Sequence, residues 1–491
     1  MVAGIRWMCV SDLHLGALNS LLTPVAADGE RVDPAQVSPV LPALCEALRT
    51  LCLGADPPEL IVLGDMFDLA LGTAFDAGET FAQFVTALRP GSGDAVIAPR
   101  IRFVPGNHDH HLWTRARGAS YMEHISGLPV TEPLPYEAHS TRLAPDEDRY
   151  PVRDALIELL ALRADPLARI VVEQSYPNLG IMGPMGQRAI VLSHGHFIEP
   201  LYRAMSTLED FRQGRQPDPL SSEDLEAENG AWIDFFWSSM GDSGGVGRWA
   251  RKLYESLQSN EAVDAEIDAI RRAFSQRPRS GVRGRIEGLL LDGGLTTVTK
   301  RSMRRERFQS GSLSESGRSG LISYLSGPVA RQMRDEHWAP KEVAFIFGHT
   351  HKPFIEVDAS KGLPGPGTVI NTGGWVVDAI EPEEHKGASV ILIDTDLNIA
   401  IVRCFGQGAG AGHQVSVEGP PDDAENALVK QVSDRIIAAE GVWRTLAEAT
   451  TATEKARRDQ LRARLAAQTD ELVPSAGRRG TATSSSPLIE A

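Results

Sequence analysis

Signals for export and for a membrane span are missing from this chain, and positive charge is scarce. Four cysteines in 491 residues, Cys9, Cys45, Cys52 and Cys404, show no paired metal-binding spacing. No apolar run approaches the roughly 18 residues that a spanning helix needs, so no membrane helix is expected. The first strand begins within a few residues of Met1, leaving no room for a signal peptide. These absences together suit a reducing cytoplasm. Lys and Arg number 49 against 65 Asp and Glu, and the net charge of −16 disfavours nonspecific nucleic-acid binding. One stretch breaks that pattern. Residues 271–307 carry eleven Arg or Lys against Glu287, Asp292 and Glu306, and Arg301, Arg304, Arg305 and Arg307 are its densest part. Such a run is a solvated face or a patch for anionic lipid heads or substrate phosphates.

What the chain does have is a repeated ending. Five apolar runs each stop at Asp, Asn or His. Run 7–10 leads to Asp12-Leu13-His14, and run 60–63 to Gly64-Asp65-Met66-Phe67-Asp68. Run 101–104 leads to Gly106-Asn107-His108-Asp109, and run 189–192 to Ser193-His194-Gly195-His196. Run 343–347 leads to Gly348-His349-Thr350-His351. Near-continuous apolar runs of this length suit strands buried on both faces. Rigid strand ends hold ligands to the tolerance that a metal needs. Imidazole with carboxylate suits Zn, Mn or Fe, whereas oxygen ligands alone would suit Mg or Ca. Seven ligands are too many for one tetrahedral ion and about right for two ions sharing a carboxylate.

These residues resemble the calcineurin-like metallophosphoesterase superfamily, whose pattern is Asp-x-His, Gly-Asp-x-x-Asp, Gly-Asn-His-Asp/Glu, an isolated His and Gly-His-x-His. The resemblance implies a four-layer α/β/β/α sandwich with a dinuclear site at the strand ends. It implies one ion on Asp12, His14 and His351, the other on Asn107, His194 and His349, and Asp65 bridging the two. By the same resemblance His108 sits beside the site without binding metal, as the proton or hydrogen-bond donor, and Asp109 orients it. Asp68 looks like a group that steadies a ligand loop, with a plain helix cap as the alternative. Two divalent ions are expected, Mn, Fe or Zn with Mn favoured. Leu192-Ser193-His194-Gly195-His196, Gly348-His349-Thr350-His351-Lys352-Pro353 and Ile370-Asn371-Thr372-Gly373-Gly374-Trp375 look like the bacterial branch around UDP-2,3-diacylglucosamine hydrolases. The chain departs from that branch in having His at the third place of Gly-Asn-His-Asp, and in being about twice as long.

Organisation follows from the motif positions. A catalytic core is expected over 1–196 and 341–410, with a cap-like insertion at 110–188. A helical, lid-like insertion is expected at 197–340, a helical extension at 411–473 and a disordered tail at 474–491. Helices are expected at 38–53, 79–88 and 153–162, and within the large insertion at 199–211, 222–237, 248–256 and 261–274. A strand is expected near 169–172, and a hairpin from strands 389–393 and 399–405. Trp232, Phe235, Phe236, Trp237, Trp249 and Tyr254 concentrate aromatic surface in the insertion, as a helical core or as a wall for an acyl chain or nucleobase. With the basic stretch, that surface would give a peripheral membrane contact. The extension would pack on the domain or pair with another subunit. The expected activity is hydrolysis of a phosphoester or pyrophosphate in a phosphorylated small-molecule or lipid-linked substrate. A phosphomonoesterase, a nuclease of the same superfamily and a non-catalytic scaffold are the alternatives.

Overall fold

Strand side chains alternate between two destinations, and the alternation builds the layers. In Ile5–Val10 (β1), Met8 and Val10 enter one apolar cluster and Cys9 enters another. Glu59–Leu63 (β2) sends Leu60 and Val62 to the first cluster and Ile61 and Leu63 to the second. A strand covered on both faces has no use for a polar side, so these runs read as continuously apolar. The computed structural model describes residues 4–91, 94–144, 152–164, 170–213, 220–245, 313–357, 367–408, 415–421 and 426–472, plus 247, 251, 252, 255 and 363.

The helices Val40–Cys52 (α1), Ala74–Leu88 (α2), His110–Ser126 (α3) and Ala155–Ala164 (α4) alternate with β1, β2, Arg100–Val104 (β3) and Val171–Gln174 (β4). Asn178–Met182 (β5), Arg188–Ser193 (β6), Glu342–Phe347 (β7), Phe354–Val357 (β8) and Gly367–Asn371 (β9) follow, then Gly387–Asp394 (β10), Ile399–Gly406 (β11) and Ser416–Glu418 (β12). One sheet has the order β12-β11-β10-β1-β2-β3-β4, parallel from β1 to β4 and antiparallel from β1 to β12. The other has the order β5-β6-β7-β9-β8, with a parallel centre of β6, β7 and β9. Between the sheets lie Cys9, Ile61, Leu63, Ile190, Leu192, Ile346, Ile391 and Ile401. Helices α1, α2 and α4 cover the outer face of the first sheet. The outer face of the second, with Val191, Phe345 and Phe347, is covered by Phe197, Tyr202, Leu321, Tyr324, Val329 and Met333. The result is the expected α/β/β/α sandwich.

Several local expectations are met within two residues, among them α1, α4, β4 and the hairpin of β10 and β11. Helix α2 starts at Ala74, earlier than expected, because the Thr73 hydroxyl accepts from Asp76 N and caps it there. The segment 110–188 is not a separate cap: β4 pairs with β3 and β5 with β6, so it gives one strand to each sheet. Nor does the first sheet end at 410, since β12 pairs with β11. The 197–340 insertion supplies the fourth layer through Glu315–Tyr324 and Ala330–Asp335, two helices that the sequence reading did not place. The expected helix 261–274, most of 248–256, the basic stretch 271–307 with Arg301, Arg304, Arg305 and Arg307, and the tail 474–491 lie outside the described residues.

The C-terminal extension packs on its own domain. Leu428, Val432 and Ile436 of Ala427–Ala438, with Trp443 and Leu446 of Glu440–Leu472, join the cluster that holds α1. Trp443 Nε1 donates to Thr50 Oγ1 at 3.1 Å, and Arg457 reaches the carbonyls of Ser20 and Thr23. Leu446→Ala should therefore cost about 2–5 kcal/mol of stability, as truncation of a fully buried leucine does. Chemical denaturation checks this; a loss near zero would mean that the extension is peripheral to the fold.

Candidate metal centre

Each of the five motifs stands just beyond the C-terminal end of a parallel strand: β1, β2, β3, β6 or β7. There the backbone leaves the sheet abruptly. Asp12, His14, Asp65, His349 and His351 have φ of 50°, 46°, 48°, 69° and 57°. Non-glycine residues avoid that region, and such strain persists only where the surroundings over-determine it. The turns lock one another: Asp12 N donates to Gly64 O, His14 N to Asp65 O and Gly348 N to His194 O. The motif glycines have a steric reason. A Cβ on Gly64 would lie 2.3 Å from His194 Nδ1, and one on Gly348 would lie 2.2 Å from Asp12 Oδ2. Each glycine clears space for a ligand residue of a different motif.

The imidazoles are ordered by their outer nitrogens. His14 Nδ1 donates to Asp68 Oδ2 at 2.9 Å, and His194 Nδ1 to the Leu63 carbonyl at 3.0 Å. His349 Nε2 donates to Glu199 Oε1 at 3.0 Å, and His351 Nδ1 to Asp378 Oδ2 at 3.2 Å. The remaining nitrogens point at one another. His14 Nε2 is 3.3 Å from His351 Nε2, and His349 Nδ1 is 3.2 Å from His194 Nε2. Asn107 Oδ1 joins the second pair at 3.1 Å from His194 Nε2. An acceptor behind each ring and a bare nitrogen in front is how metal-bound histidines are held. Three overlapping groups each bring their ligand atoms within 4.8 Å: Asp12, His14 and His351; His14, Asp65 and His108; Asp65, His194 and His349. The donor set of imidazole, carboxylate and amide oxygen fits a divalent transition metal.

Charge is concentrated here. Burial alone would raise the Asp12 and Asp65 carboxyls, but the surrounding histidines outweigh it and hold both below the ordinary carboxylate range. Burial likewise would lower His108 and His351. The carboxylates of Asp68 and Asp65 lift His108 to about 9, and those of Asp12 and Asp378 lift His351 to about 9. Asp68 serves two rings, since His108 Nδ1 also donates to it, at 3.1 Å. It also accepts from Ala70 N and Leu71 N in the turn that follows, so it caps no helix; the cap of α2 is Thr73. Asp109 does not orient His108 as expected. Its carboxylate turns back to accept from Gly106 N at 2.7 Å and Phe67 N at 3.1 Å, tying the second motif to the third. Asp68 holds that histidine instead, because it stands within hydrogen-bond reach of the ring while Asp109 is taken up by the backbone amides of Gly106 and Phe67.

A model of the calcineurin-like phosphoesterase family matches residues 5–271. The chain belongs to that family. It is accordingly a metal-dependent hydrolase of phosphoester bonds. His349 and His351 lie beyond the matched span, and the second sheet brings them to the other ligand candidates. No curated protein matches the chain. Among solved structures it is similar to a phosphopantetheinyl hydrolase from Mycobacterium tuberculosis, at 12% identity over 76% of this chain and 91% of that one, with a TM-score of 0.24. So low a score bears on neither mechanism nor substrate.

Two partners of the ligand histidines went unseen in the sequence. Asp378 follows Trp375 by three residues and Glu199 follows His194 by five, with no strand-end glycine or histidine pair to mark either. Both meet their histidines across long sequence separations, so they become visible only with the second sheet assembled. The aromatic concentration divides. Trp232 Nε1 donates to Leu201 O inside the insertion, Phe235 is exposed, and Trp237 stands 6.5 Å from the His108 ring. Trp249 and Tyr254 lie outside the described residues. Since Asp68 holds both His14 and His108, Asp68→Ala should lower metal affinity about 10–100-fold and depress turnover even at saturating metal. Metal titration followed by calorimetry checks this; unchanged affinity would reduce Asp68 to bracing its own turn.

Proposed function

We propose that the family chemistry is carried out here by a dinuclear centre. Asp12, His14 and His351 hold one ion, Asn107, His194 and His349 the other, and Asp65 spans both. The observation that carries this is the position of Asp65 Oδ2, 3.6 Å from His14 Nε2 and 3.4 Å from His194 Nε2, between the two groups of donors. Manganese, iron and zinc all suit the mixed imidazole and oxygen set, with manganese the favoured candidate. Two such ions, when bound, acidify water and neutralise phosphoryl charge.

The chain's own residues do the rest. Asp68 fixes the His108 Nδ1–H, which leaves Nε2 to face the reacting group and to give a proton or hydrogen bond to the leaving oxygen. Asp65 Oδ1 accepts from His108 N at 2.8 Å, so the bridging carboxylate also positions the donor's backbone. Tyr202 and Trp237 bring aromatic surface of the insertion to His349 and His108. That contact supports a substrate with an organic group beside the phosphate, nucleotide-linked or lipid-like, and a peripheral contact of the enzyme with membrane when the substrate is a lipid. The phosphomonoesterase and nuclease readings use the same centre. A screen of the metal-loaded protein against phosphomonoesters, phosphodiesters and nucleotide pyrophosphates separates all three.

Two variants test the assignment. Asp65→Asn should cut turnover by several orders of magnitude and lower metal occupancy, because one charge serves both ions. An active variant that retains two tight ions would remove Asp65 from the bridge. His108→Ala should keep both metals and lose about 10²–10⁴ in turnover, less for esters with good leaving groups. Loss of metal in that variant would make His108 a ligand, as its proximity to His14 and Asp65 also permits.

A further inference from the structure

Besides Glu199 and Tyr202, the insertion reaches the metal centre through a wide turn, Asp234–Ser238, which has π-helical geometry. Such turns recur at functional sites. This one is clamped. Asp234 Oδ1 accepts from His110 Nδ1 at 2.7 Å, and Ser238 Oγ donates to Asn107 O at 2.8 Å. Just beyond it, Gly241 N donates to Leu69 O at 2.9 Å. His110 is itself held from the other side by Glu226 at 3.0 Å. The turn is therefore bonded directly to the loop that carries Asn107 and His108, and its side chains have a fixed place relative to them.

Trp237 is the residue that this clamp aims. Its ring lies 6.5 Å from His108 and 5.6 Å from Tyr202, whose own ring is 5.3 Å from His349. The two aromatics thus span from the proton donor to a ligand of the opposite half of the centre. Trp237 Nε1 is buried, yet it has no hydrogen-bond partner among the described residues. Trp113 and Trp375 share that condition, but both are sealed within the protein at 1% and 0% exposure, whereas Trp237 is half-buried and stands at the site. A buried N–H without an acceptor is destabilising.

We infer that Trp237 is a substrate-binding residue contributed by the insertion: its indole N–H donates to a non-bridging oxygen of the phosphoryl group, and its face, with Tyr202, lines the space for the organic part of the ester. The inference rests on the phosphoesterase reading of the same centre.

The test uses the full-length, metal-loaded protein and two variants. Trp237→Phe keeps the aromatic face and removes the N–H; Trp237→Leu removes both. Inorganic phosphate binding is followed by calorimetry, and kcat/KM is measured for an aryl and an alkyl ester of the same phosphate. Trp237→Phe should weaken phosphate binding and lower kcat/KM by about 5–10-fold, equally for both esters, the effect of one lost hydrogen bond. Trp237→Leu should add a further loss for the aryl ester alone. Unchanged phosphate affinity in Trp237→Phe would overturn the role of the N–H. A lowered metal content in Trp237→Phe would also overturn it, by showing that Trp237 only supports the Asn107 loop. Wild-type protein that binds phosphate but cleaves neither ester would count against the catalytic reading while the phosphate titrations still decide the place of Trp237.

Discussion

Bare imidazole nitrogens 3.2–3.3 Å apart, buried with two carboxylates, form the arrangement on which the rest of the structure depends. Lone pairs at that distance repel unless a proton or a cation lies between them. The protein prevents the rings from turning away by fastening the far nitrogen of each one, to Asp68, Leu63 O, Glu199 or Asp378. The carboxylates of Asp12 and Asp378 lift His351 against the opposing effect of burial, and the surrounding histidines hold Asp12 down. A bound divalent cation would satisfy these nitrogens and carboxylates together. The left-handed backbone at five of the seven candidate ligand positions belongs to the same balance: the sheet ends impose it, and the interlocked turns keep it.

The fold serves this centre by placing two sheets back to back with their parallel strand ends at one edge. Neither sheet alone holds a complete set. The first supplies Asp12, His14, Asp65 and Asn107, and the second supplies His194, His349 and His351. The interior of isoleucine, leucine and valine between the sheets is therefore also what sets the distance between the two halves of the centre. Because that interior is close-packed, it transmits changes in side-chain volume to the ligands rather than absorbing them.

The insertion has two parts with different work. Its last helices close the outer face of the second sheet through Leu321, Tyr324, Val329 and Met333, so they are as much a layer of the fold as α1 is of the first sheet. Its earlier segments meet the centre. Glu199 orients His349, Tyr202 packs on the same ring, and Ser238 bonds to the backbone of Asn107. Removing the insertion would expose the second sheet as well as open the site. His110 is a hinge pin between these regions, buried between Glu226 and Asp234 and lifted to about 10 by them against the opposing effect of burial.

Much of this was legible in the residues themselves. Apolar runs ending in Asp, Asn or His mark buried strands whose ends carry chemistry, and the motif glycines mark where such ends approach one another. The layer order followed from the resemblance that those motifs carry, and the alternation of Met8, Cys9 and Val10 between two clusters shows its physical basis. What the residues did not reveal is whatever depends on a meeting between distant segments. Glu199 and Asp378 have no local pattern, because each meets its histidine, His349 or His351, only when the loops after β6, β7 and β9 come together. Asp109 was misread for the same reason: its sequence neighbour is His108, but its spatial neighbours are the amides of Gly106 and Phe67. Local sequence determined the strand ends and the chemical kind of their ligands, since periodicity and residue type act over a few positions. Only the tertiary structure decided which acceptor stands behind each imidazole, since that choice is made by chain segments whose separation in sequence carries no information about their contact.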